Sequence, residues 1–131
     1  MRQVVEEAAA TAVQDGRAEV AWAHDPPRVV LTPAAPGAAR VVVEVHQDEL
    51  WWVLAGDGPG TELYVGMEGD RCALLRSLVE AVVAGRYRHG PVTERGRARG
   101  WFETFDTEDG PFTSRRFGSE APSAERRFAP Y

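Results

Sequence analysis

The sequence predicts an α+β domain. We expect an antiparallel sheet of about five to seven strands, with an N-terminal helix and a second helix, about 70–84, packed on one face. Two observations carry this. Apolar residues recur at helical spacing in two places only, residues 2–15 and 70–84. Between and after them run short alternating stretches broken by Gly, Pro and Asp, and such short connections imply hairpins.

The elements follow in order. Val4, Val5, Ala8, Ala9, Ala12 and Val13 share one face of a helix over 2–15, which Gly16 stops. The face is mostly alanine and suits close packing on a sheet. In "RAEVAWAH", 17–24, Ala18, Val20 and Trp22 alternate with Glu19, Ala21 and Ala23 as in a strand. "DPP" breaks this strand, "RVVLT" at 28–32 resumes, and "PAAPGA" at 33–38 is a loop. "RVVVEVH" at 40–46 is the clearest strand, "QDE" at 47–49 turns the chain, and "LWWVL" at 50–54 runs back. "ELYVG" at 62–66 is a further strand. Asp70 is a good N-cap for the helix over 70–84, whose stripe is Leu74, Leu75, Leu78, Val79 and Val82, and Gly85 ends it. Residues 86–100 read as a loop or irregular strand, and 100–118 as a hairpin about Asp109-Gly110. Residues 1–118 form one domain. The tail, 119–131, has no period; the sequence leaves open whether it is disordered or docks through Phe128 and Tyr131.

Composition removes several function classes. The chain of 131 residues has no lysine, asparagine or isoleucine, as expected of a very GC-rich, actinobacterial-like genome. No lysine means no Walker-type phosphate ligand and no Schiff base. A single cysteine, Cys72, forbids an internal disulfide and fits a reducing cytoplasm. No apolar run is long enough to span a bilayer, and Glu6 and Glu7 stand where a signal peptide needs its apolar core. The net charge of −5 is uneven: residues 1–85 hold 6 Arg against 13 Asp and Glu, residues 86–131 hold 9 Arg against 7. A general polyanion binder would not be built this way.

"GDGPG" at 56–60 resembles a phosphate loop, but a strand follows it where a helix N-terminus is needed, so it reads as a hairpin connection. The adjacent Trp51 and Trp52 must point to opposite faces of their strand. One faces the helix-covered core; the other lies on the far face, covered by the C-terminal segment or open to a partner. Arg86, Arg88, Arg95, Arg97 and Arg99, interleaved with Tyr87 and ending at Trp101, could contact phosphates and bases or an acidic protein. A solvated loop is the plainer account.

We find no catalytic constellation, no metal site and no cofactor motif. His24, His46 and His89 read as solvated residues without ligand spacing. Cys72 sits in a first helical turn with no local histidine. Glu103, Asp106, Glu108 and Asp109 read as the solvated carboxylates of a hairpin, with Glu103 facing water.

The resulting expectation is a cytoplasmic, non-enzymatic protein-interaction module, of an immunity or chaperone type or self-associating. Its binding residues would be Trp51 or Trp52, the arginines of 86–99 and Trp101. The alternatives are a small-ligand or enzyme domain, with a pocket between sheet and second helix lined by Trp, Tyr and Cys72, and single-stranded nucleic-acid binding through 86–101.

Overall fold

The structure is a computed structural model that describes residues 1–67, 69–118 and 120–131. Glu68, and Ser119 of the predicted tail, lie outside the described residues. The fold class is α+β, as the patterning predicts.

The N-terminal helix is interrupted: α1 spans Arg2–Ala8 and α2 spans Ala10–Gln14, with Ala9 between them at φ −101°, ψ 2°. Five strands then form an antiparallel meander: β1 (Ala18–His24), β2 (Pro27–Pro33), β3 (Val41–Val45), β4 (Trp51–Ala55) and β5 (Thr61–Leu63), in spatial order β1-β2-β3-β4-β5. The strand expected at 62–66 is shorter, and Tyr64 and Val65 are exposed beyond its end.

Helix α3 (Arg71–Val83) is where its apolar stripe puts it. Asp70 caps it by accepting the Cys72 backbone N–H at 2.8 Å, and Gly85 follows at φ +73°. Leu75, Leu78, Val79, Ala81 and Val82 are buried. Helix α1 packs on α3 and on β2.

The remaining strands do not extend the first sheet. β6 (Tyr87–Glu94), β7 (Arg97–Thr107), β8 (Gly110–Phe117) and β9 (Arg126–Arg127) make a second antiparallel sheet, in order β8-β7-β6-β9. Two sheets thus divide the nine strands, where a single sheet was expected. The segment 86–100, expected as loop or irregular strand, is strand on both sides of a hairpin turn, with a register shift between Pro91 and Thr93. Its two-residue turn is Arg95-Gly96, both with positive φ (52° and 77°), the backbone that a tight hairpin demands. The following turn is Glu108-Asp109, since Thr107 pairs with Gly110, one residue earlier than expected.

One core joins the layers. Val29, Leu31, Val41, Val43, Trp51, Val53 and Leu63 project from the first sheet onto Val5, Ala9, Leu75, Leu78 and Val82. Tyr87 and Phe105 close it from the second sheet, beyond α3. The tail is docked into this seam. Phe128 and Tyr131 are buried, the Ala129 N–H donates to Gly37 O at 2.9 Å, the Tyr131 N–H donates to Val83 O at 3.0 Å, and Tyr131 Oη donates to Ala39 O at 2.6 Å.

Candidate interaction surface and cleft

Strand alternation decides the two tryptophans. Trp51 shares its face with Val53 and Ala55 and lies in the core, with the Arg71 guanidinium 3.8 Å from its ring centroid. Trp51 is therefore not a surface residue. Trp52 is the outer member. Its indole lies flat across Gly60, where an added Cβ would sit 2.7 Å from Trp52 Cε2. His46 stacks beside it at 5.9 Å, and Arg116 of β8 reaches over it at 4.9 Å.

Trp52 belongs to a sheet face that, among the described residues, carries no helix. The antiparallel register aligns Ala21, Val30, Val42 and Leu54 in one row across four strands. The next row is Ala23, Arg28, Glu44, Trp52 and Glu62. All of these point away from the core, because their neighbours Val29, Leu31, Val43 and Val53 point into it. Ala21 is exposed, and Val30, Val42, Leu54 and Trp52 are half-buried. Among the described residues, the Arg116 side chain is what the second sheet sends over this face.

The arginines form no single patch. Arg86 and Arg88 stand at the first turn of β6, and Arg88 pairs with Glu125 at 3.3 Å. Arg95, Arg97 and Arg99 lie at the far end of the same hairpin, about 20 Å away along the strand. Trp101 is separate again. It faces inward, its ring 5.3 Å from that of His89.

The predicted pocket between sheet and helix is filled by the buried side chains of α3, and Cys72 is exposed. A cleft of about 420 Å3 lies elsewhere, between the 57–59 loop and the β7–β8 hairpin. Its walls are Asp57, Gly58, Pro59, Trp101, Arg116 and Phe117, with Gly118 and Glu120 at one end.

Beneath this cleft the sequence reading is corrected most sharply. Glu103, expected in water, is completely buried. Thr61 Oγ1 donates to its Oε1, Tyr87 Oη lies 2.9 Å from its Oε2, and the Gly60 backbone N–H also reaches the carboxyl group. Burial pushes the Glu103 pKa up, against the opposing pull of those hydrogen bonds. Tyr87 Oη also lies 3.0 Å from Ala55 O. The phenol has one proton and two acceptors in reach, Glu103 Oε2 and Ala55 O.

His89, expected as a solvated residue, is buried with neither ring nitrogen hydrogen-bonded. Its ring stands at steep angles to Trp101 and Phe128, both at 5.3 Å. Burial lowers its pKa, which keeps the imidazole neutral.

The glycine run serves this cluster. It connects β4 to β5, and its N–H is offered to the protein's own carboxyl group. Gly58 presses on the cluster: a Cβ there would overlap Tyr87 Oη and come within 2.8 Å of Glu103 Oε2.

His24 accepts from Trp22 Nε1 at 3.1 Å and His46 pairs with Glu44 at 3.1 Å. Among the described residues no three metal-ligating side chains gather, and no helix is long and apolar enough to cross a membrane. Comparison of the chain with known protein families, curated proteins and solved structures finds no match.

Proposed function

We propose that this is a protein-interaction module that docks through the outer face of its five-stranded sheet. The observation that carries the reading is the row Ala21, Val30, Val42 and Leu54, with Trp52 in the row beside it, on a face that, among the described residues, no helix covers and over which the second sheet extends Arg116. A sheet face meant for water alternates polar residues outward. Here apolar side chains occupy the middle of the face and charges its flanks, which is the layout of an interface centre and rim. Trp52 is the natural anchor, since aromatic side chains dominate interface energetics.

The test is capture of partners by the tagged chain beside Trp52→Ala, Val42→Arg and, as a control on the opposite side, Val13→Arg. The first two should lose what the wild type and the control retain, with unchanged melting curves. Equal capture by all four would overturn the reading.

A second reading rests on the cleft. Its volume falls within the usual range of small-ligand sites, and Trp101, Pro59 and Phe117 give it an apolar wall beside Arg116. A metabolite that raises the melting temperature of the wild type but not of Trp101→Ala would support it. A flat response across a broad metabolite library would count against it.

A further inference from the structure

We infer that the occupant of this face is a second copy of the chain, related by a twofold axis that runs along the apolar row. This rests on the outer face being the docking surface.

The argument is charge complementarity on that face. Glu44 lies two residues after Val42 on β3 and points outward with it, and exposed Arg40 lies two residues before Val42, just ahead of the strand, where its carbonyl accepts the Gly56 N–H at 2.8 Å. Trp52 stands two residues before Leu54 on β4, Arg28 and Thr32 flank Val30, and Glu19 and Ala23 flank Ala21.

A twofold along the row reverses each strand and lays it over its own copy. Arg40 of one chain then faces Glu44 of the other, twice per dimer. Arg28 meets Thr32, and Glu19 meets Ala23. No like charges oppose one another. A twofold along β3 would instead set Arg40 on Arg40 and Glu44 on Glu44, which like-charge repulsion disfavours. The favoured axis also keeps the strands of the two sheets nearly aligned, the common way for sheets to stack.

Size sets the strength. Five strands about 4.8 Å apart and five residues about 3.4 Å apart give a footprint of about 400 Å2 per copy. The total, about 800 Å2, falls below the range of stable specific interfaces, so the dimer should be weak and concentration-dependent.

The experiment is sedimentation velocity on the full chain from about 1 µM to about 500 µM, a range that brackets a weak association. The wild type should pass from monomer to dimer. Arg40→Glu and Glu44→Arg should each shift the midpoint upward by about tenfold or more, and the double variant, which restores opposite charges across the axis, should recover most of it. Leu54→Arg should stay monomeric while Val13→Arg dimerises, and melting curves should show all variants folded. A wild type that is monomeric throughout overturns the inference, as does a double variant no better than its parents. If the wild type is monomeric but Trp52→Ala and Val42→Arg still lose a captured protein, the docking face stands and only the choice of occupant falls.

Discussion

Glu103→Gln should be tolerated, and its effect should reverse with pH. The wild-type carboxyl group is fully buried with a raised pKa, caused first by burial. Glu103 accepts from Thr61, Tyr87 and Gly60. A glutamine keeps an acceptor for Thr61 and turns its NH2 toward Tyr87, but brings a second N–H that lacks a partner. We expect a cost of about 1 kcal/mol where the wild-type group is neutral in both states.

Above about pH 4.5 the unfolded chain ionises at this position, while burial holds the folded-state pKa higher and delays its ionisation. A raised folded pKa contributes stability that is complete below the unfolded value and is lost as pH rises through the folded value. The wild type should therefore lose up to about 1.4 kcal/mol per pH unit relative to Glu103→Gln. Urea unfolding of both proteins at pH 5, 6, 7 and 8 measures the difference, and every other group, His89 included, cancels from it. The wild type should be the more stable at the acid end and Glu103→Gln at the alkaline end. A gap that stays constant across this range would refute a raised Glu103 pKa. Glu103→Ala offers the contrast: it leaves a cavity and strands Thr61 and Gly60, so it should cost about 3–5 kcal/mol at every pH.

Gly58→Ala should destabilise by at least about 2 kcal/mol, because its Cβ overlaps Tyr87 and Glu103, and chemical denaturation reads this directly. Asp70→Ala removes the acceptor for the Cys72 N–H and should cost about 1 kcal/mol in the same assay. Deleting residues 128–131 removes two buried aromatics and the bonds to Gly37, Val83 and Ala39, so the truncated chain should lose several kcal/mol, about 3 or more, and melt far earlier in calorimetry. His89, with its pKa lowered by burial, contributes stability that is present above about pH 6.5 and lost as pH falls. His89→Phe should flatten that acid limb of the wild-type curve.

Local rules determined much of this molecule from sequence. Helix α3 was legible because a cap, an apolar stripe and a terminal glycine all agreed, and β1 to β4 because Val, Trp and Ala alternate between turn residues. Alternation also required Trp51 and Trp52 to part. Which of them faces outward depends on register against β3 and β5, and only the folded sheet fixes that. Glu103 shows the limit best. Its neighbours Phe102 and Thr104 hid that it shares a face with Trp101 and Phe105 and pairs with His89 across β6. Reading 86–100 as a loop or irregular strand, without a register, left out the pairing with β6 that reveals this. A strand's pattern can say which residues lie together, but whether their side meets water or core depends on what packs against it. Here a second sheet folds over α3 and seals a carboxyl group and an imidazole beneath a glycine loop. That burial is a tertiary event, made of contacts between segments far apart in the chain, and no local periodicity encodes it.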